Sequence, residues 1–252
     1  MTCKNCDKPV IGNFCATCGQ KGDVHQITLK HVVHEFLHAF THADKGFLLL
    51  IKRLILKPGI VAKEYIEGKR KRYFNPLSFL VITSAVQAYI THKVGYFEAM
   101  SAGRGGPMQD STGSTKGDLM RAEVFKFSAD NEKVLTLFLI VPLLTLFCRA
   151  FFWRPKHNLA EHFVIQSFIV GQANVIRVLI FVPLFLLSPS TIHYQGMVYQ
   201  LLLAIYMTVA YRQFFHKNII ITFLKAILMM VLFILCYWIF IAGYVFLKHL
   251  FF

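Results

Sequence analysis

Four cysteines open the chain at a spacing that binds metal. Cys3, Cys6, Cys15 and Cys18 form C-x2-C-x8-C-x2-C. Each C-x-x-C turn aims two thiolates at one ion, and four thiolates at about 2.3 Å close a tetrahedron with no open coordination position. The expected occupant is a structural Zn2+ in a zinc ribbon over residues 1–24. Disulfides or a redox pair are disfavoured, because a reducing cytosol keeps thiols free and paired C-x-x-C turns are more specific than one. So short a segment has almost no apolar core. Val10, Ile11 and Phe14 are its candidates, and metal binding and folding should be one event. Cys148 and Cys236 sit singly in apolar runs and read as packing residues.

A second pattern falls on an amphipathic segment. Thr28 can cap a helix from Leu29 to Thr41, with Val32, Val33, Phe36, Leu37 and Phe40 on one face. The opposite stripe holds His31, His34, Glu35, His38 and His42. Within it His34-Glu35-Phe36-Leu37-His38 matches the H-E-x-x-H of zinc metalloproteases, where two histidines one turn apart hold zinc and the glutamate is general base. Glu64 or Glu67 would have to supply the third ligand. The alternative is a histidine-rich polar face lying against headgroups or the ribbon. No second protease signature follows downstream.

The third constellation is electrostatic. Lys69-Arg70-Lys71-Arg72 abuts an apolar run, and each cation near a membrane surface favours anionic headgroups by about 1 kcal/mol. Upstream, residues 47–56 are too short to span and carry Lys52 and Arg53 mid-run, so they should lie in the interface. Pro58 and Gly59 break that run, and Gly68 closes a short helix from Ile60 to Glu67. Residues 25–74 thus form a juxtamembrane belt. Nucleic acid is disfavoured as a partner, because no exposed aromatic platform interleaves the cations.

These groups need elements to position them. With 56% hydrophobic and only 16% charged residues, the chain is too apolar for an ordinary soluble enzyme domain, and disorder, collagen and a disulfide scaffold are excluded as well. The expected fold is an all-α polytopic membrane protein. Five stretches are long enough to cross as helices, near residues 77–96, 134–152, 163–187, 196–215 and 219–246 within a membrane domain of 75–252. Residues 1–26 lack the apolar core of a secretory signal, so the N-terminus should stay where it was made. Cations crowd the region before Tyr73 and recur at Arg149, Arg154, Lys156, Arg212 and Lys217, whereas the turn 188–195 has none. This places the N-terminus in the cytoplasm and the C-terminus outside.

Inside the third span, Gln166, Asn174 and Arg177 share one arc. An arginine there must face protein or water, and none of the five expected spans contains Asp or Glu, so no internal ion pair is expected. Two readings stay open. One is a polar cavity for an anionic headgroup or another anion. The other is an arginine satisfied by carbonyls, Gln166 and Asn174. Pro142 and Pro183 should kink their helices, and Lys225 should snorkel to the cytoplasmic surface.

The ribbon ending F-C-A-T-C-G-Q-K, the H-A-D-K-G-F segment and L-K-P-G-I-V-A-K-E-Y-I-E-G-K-R-K-R-Y-F-N-P together resemble domain of unknown function family 3667, a group of bacterial membrane proteins. Its most specific part here is Gly68-Lys69-Arg70, Tyr73 and Asn75-Pro76. The resemblance implies a cytoplasmic ribbon joined to a polytopic region in a bacterial inner membrane, with no assigned activity. The favoured function is a membrane-embedded adaptor, sensor or organiser, its ribbon recruiting a protein partner and its belt gripping anionic lipid. A metalloprotease using His34, Glu35 and His38 is the alternative, and a lipid or anion transporter built around Arg177 the third.

Overall fold

Prolines and asparagines decide where the helices start. Pro58 and Pro76 occupy first-turn positions, where a missing N–H costs nothing. Asn75 stands in front of Pro76 in extended backbone, and its Oδ1 accepts from the amides of Leu77 at 2.9 Å and Ser78 at 3.1 Å. Asn158 caps a later helix in the same way through Glu161 N at 2.9 Å.

In this computed structural model, residues 1–30, 32, 46–96, 99–100, 123–124, 126–153 and 157–251 are described, the side chains of 249–251 excepted. Seven helices organise them: α1 Gly46–Leu56, α2 Pro58–Glu67, α3 Pro76–Lys93, α4 Glu132–Phe151, α5 Leu159–Leu187, α6 Ile192–Phe215 and α7 Ile219–Phe251. No strand occurs among the described residues, only the isolated bridges Thr2↔Pro9 and Phe14↔Lys21.

Helix α5 is central. It packs against α3 and α4, touches α2, and meets α6, which in turn lies between α2 and α7. The rings of Tyr65, Phe79 and Phe168 knit α2, α3 and α5 with centroids 5.8 and 6.4 Å apart, and Phe47 of α1 joins at 5.6 Å from Phe79. Gly59 lets α2 approach α6 closely, since a Cβ there would stand 2.1 Å from the Ala210 carbonyl oxygen. On α1, Leu50 and Leu54 are buried one turn apart while Leu48, Ile55 and Leu56 stay exposed, which suits a helix lying in an interface.

Among the described residues three helices are long and apolar enough to cross a membrane: α4, α5 and residues Ile219–Lys248 of α7. The other two expected spans, 77–96 and 196–215, are helices α3 and α6 but are not among these. The reason is polarity, because α3 buries Ser78, Thr83, Ser84, Gln87 and Thr91, and α6 carries Gln195, Arg212 and Gln213. Helix α5 begins earlier than expected. Its first turn is polar but covered, with Glu161 accepting from Gln26 and Asn158 donating to the Ile27 carbonyl.

At the two prolines expected to kink their helices, the structure shows a change of helix type. Each follows a wide π turn, Thr136–Ile140 before Pro142 and Arg177–Phe181 before Pro183. A π turn absorbs the ladder defect that a proline makes. Lys225 donates to the Phe151 carbonyl at 2.8 Å and so closes the end of α4.

Candidate metal centre and basic loop

Residues 1–22 are one turn written twice. Cys3 N bonds to Lys8 O and Cys15 N to Gln20 O, Asp7 N to Cys3 O and Gly19 N to Cys15 O, Val10 N to Met1 O and Gly22 N to Asn13 O. Every bond recurs twelve residues later, and the left-handed φ of 58° at Asp7 is matched by 69° at Gly19. The two turns bring their thiols face to face. Cys3 Sγ lies 3.6 Å from Cys18 Sγ, Cys6 Sγ lies 3.5 Å from Cys15 Sγ, and all four sulfurs fall within 4.8 Å of one another. A disulfide needs about 2.05 Å. Four sulfurs at ~2.3 Å from one ion would stand about 3.8 Å apart, so the set can hold a metal ion.

The sulfurs are not equivalent. The backbone N–H of Cys18, then that of Thr17, draws Cys15 down to about 6 against burial. The Lys8 amide lowers Cys6, but burial and the neighbouring sulfurs outweigh it and leave that thiol at about 12. Of these two thiols Cys15 is the readier metal ligand. Val10 is buried beside Cys3 and Cys15 as expected. Ile11 and Phe14 are not core residues, being 100% and 63% exposed. A segment this small has one inside, and the sulfurs fill it.

Gln20, 5% exposed, links this unit to the basic loop. Its Nε2 donates to the Gly68 carbonyl at 2.7 Å and its Oε1 accepts from Lys71 N at 3.2 Å. One side-chain amide thus clamps both edges of the turn that ends α2. Gly68 is required there, with φ of 119° and Lys4 Cδ 2.9 Å from where a Cβ would be. The four cations after it diverge. Lys69 bonds Glu64 at 3.0 Å, Arg70 donates to the His25 carbonyl at 2.7 Å, Arg72 stacks over the Tyr73 ring at 5.9 Å, and Lys71 is exposed. Lys52 and Lys57 are exposed as well.

Glu64 is the hub behind the loop. Its carboxylate accepts from Lys69 and the Tyr73 hydroxyl, and Arg53 Nη1 lies 3.6 Å away while also donating to Tyr73 at 2.8 Å. Burial alone would raise this carboxyl, but the Tyr73 hydroxyl and the Lys69 ammonium hold it below the usual range. Burial, then the Glu64 carboxylate, raises Tyr73. Glu64 is thus engaged by three donors. His31, His34, Glu35, His38 and His42 lie outside the described residues, as does most of the expected helix from Leu29 to Thr41. Of its first turn, residues 29, 30 and 32 are described, with Val32 N bonded to Thr28 O at 3.1 Å.

In α5 the three polar residues find separate partners. Gln166 donates to the Tyr211 hydroxyl at 2.7 Å and Asn174 to Ser84 at 3.0 Å. Arg177 meets a carboxylate after all: Glu132, two residues before the expected start of the second span, lies 3.2 Å from Nη1 and is 12% exposed. Helix α4 begins at Glu132, which brings this residue into the bundle and overturns the expectation that no internal ion pair was possible. Gln87 at 2.8 Å and Thr91 at 3.4 Å also donate to Glu132, and Arg177 lies over the Tyr199 ring at 4.4 Å.

Sequence reasoning misses Gln20 and Glu132, and it does not find the Glu64–Tyr73 contact. For Glu132 a signal exists, a carboxylate two residues before an expected span. Gln20 carries none. Residues 44–87 match the family described as Protein of unknown function (DUF3667), so the resemblance holds over α1, α2, the basic loop and the first part of α3. The conspicuous residues of that segment each serve the local structure. Gly68 makes the turn, Lys69 and Tyr73 hold Glu64, and Asn75 with Pro76 starts α3. No curated protein and no solved structure matches the chain.

Proposed function

We propose that this chain is a five-span organiser of the bacterial inner membrane, with its N-terminus in the cytoplasm and C-terminus outside, in which a Zn2+ ribbon braces a lipid-facing basic loop. The observation that carries the reading is the Gln20 clamp on Gly68 and Lys71. Gln20 sits two residues beyond the ligand Cys18, so an ion that rigidifies the second turn also fixes the loop. Lys71 and Arg72, with Lys52 and Lys57, then face anionic headgroups beside the exposed apolar side of α1. Ile11 and Phe14, solvent-facing on the ribbon, are what a protein partner would cover. Helices α3 and α6 complete the five spans, with Ser78, Thr83, Ser84, Gln87 and Thr91 of α3 and Gln195 and Thr208 of α6 buried against the protein.

Elemental analysis and limited trypsin digestion of the purified full chain test this. One zinc per chain is expected, absent from Cys3→Ser/Cys6→Ser. Gln20→Ala should keep the zinc yet expose Lys69 to Arg72 to cleavage about tenfold faster, as local opening becomes easier. Zinc-free protein, or a loop cut at the same rate with and without the clamp, rejects the brace.

A further inference from the structure

Beside Arg177 the bundle leaves a partly enclosed chamber of about 340 Å³, the size of a small ligand pocket. A second cavity of about 150 Å³ also reaches Glu132, Arg177 and Tyr199. Folded interiors rarely keep voids of this size. A buried ion pair is weak support for stability, and ionisable residues at membrane depth mark sites. The wide π turn that begins at Arg177 is a further irregularity at the same place.

The lining says what would fit. Glu132 and Arg177 neutralise each other, so a lone anion would compete with Glu132 for the guanidinium, and a lone cation would compete with Arg177 for the carboxylate. A molecule carrying both signs meets neither conflict. Its anion extends the guanidinium fork, and its ammonium approaches Glu132 Oε2, whose contact with Thr91 is long at 3.4 Å. Tyr96, Tyr237 and Trp238 line the chamber, and ring faces attract ammonium groups. Because α4, α5 and α7 are apolar enough to cross a membrane, phospholipid headgroups are the zwitterions at hand.

We propose that this chamber binds a phosphoethanolamine-type zwitterion, its phosphate on Arg177 and its ammonium on Glu132 among the rings, presented by a phospholipid headgroup or as a free molecule. The site is independent of the ribbon and the basic loop.

Native mass spectrometry of the full chain with phosphatidylethanolamine or phosphatidylglycerol of matched acyl chains, and thermal melting with free phosphoethanolamine, test it. Phosphatidylethanolamine should be retained about tenfold more tightly than phosphatidylglycerol. Glu132→Gln should reverse that preference by leaving the guanidinium unopposed. Gly196→Leu leaves the ion pair intact and fills the chamber from α6, where a Cβ would meet nothing nearer than Met100 Cε at 3.4 Å. It should abolish retention with the melting temperature kept. A melting shift with free phosphoethanolamine and no lipid preference assigns the soluble source. Neither effect in the wild type, a preference that survives Glu132→Gln, or undiminished binding by folded Gly196→Leu overturns the proposal.

Discussion

Two glutamates in this molecule are each held by a guanidinium and a hydroxyl, yet they are built in opposite ways. Glu64 takes Lys69, Tyr73 and Arg53 from one stretch of twenty-one residues, at a surface where cations outnumber it. Glu132 takes Gln87 and Thr91 from α3 and Arg177 from α5, inside the bundle and in balance. The first arrangement can form as soon as α1 and α2 pack, and solvent screens part of its energy. The second exists only when three helices distant in sequence meet. Charge in excess faces outward to something anionic, and charge in balance leaves a neutral interior beside an open chamber.

Breaking each side should separate them. The largest effect belongs to the proposed metal: Cys3→Ser/Cys6→Ser should remove an ion whose binding would supply roughly 10–16 kcal/mol if it is zinc. Hydrogen exchange should show residues 1–22 losing protection while α3 to α7 keep theirs. Next, Arg177→Ala leaves Glu132 buried without its counter-ion and should cost about 3–5 kcal/mol in unfolding measurements. Arg177→Gln/Glu132→Gln should recover part of that, a coupling readable from a double-mutant cycle.

Glu64→Gln should cost less, about 1–3 kcal/mol, because the site is partly wet and the amide oxygen can still accept from one of the three donors. Its pH dependence has a definite sign. Folding lowers this carboxyl from its ordinary 4.5, so its contribution is present at neutral pH and fades as pH falls below that value. Exchange at 68–72 should quicken on acidification, and Glu64→Gln should blunt that change. The smallest effect is Asn75→Ala, about 1 kcal/mol from a lost cap on α3. Should Glu64→Gln prove costlier than Arg177→Ala, the contrast between the two glutamates fails.

What could be read in advance follows the range of the interactions. The metal-competent cysteines, the helix closed by Gly68 and the two proline sites depend on neighbours a few residues away, so spacing suffices to find them. Three of the expected spans announce themselves by apolar length. Helices α3 and α6 show where a hydropathy argument weakens, since Ser84 and Gln87 of α3 and Gln213 of α6 are matched by partners that only packing reveals. Ile11 and Phe14 fail as ribbon core because apolar character does not ensure burial where sulfur already fills the space.

The amino-acid order by itself determined an apolar helical chain, a four-cysteine turn pair and a cluster of cations ahead of the first expected span, because each is a property of local spacing or composition. Only the tertiary structure decided that Gln20 grips the backbone of the basic loop, that two of its four cations hydrogen-bond protein groups, and that Glu132 answers Arg177 across forty-five residues. Such pairings depend on which helix faces touch, and no periodicity along one strand of sequence encodes the identity of the face opposite.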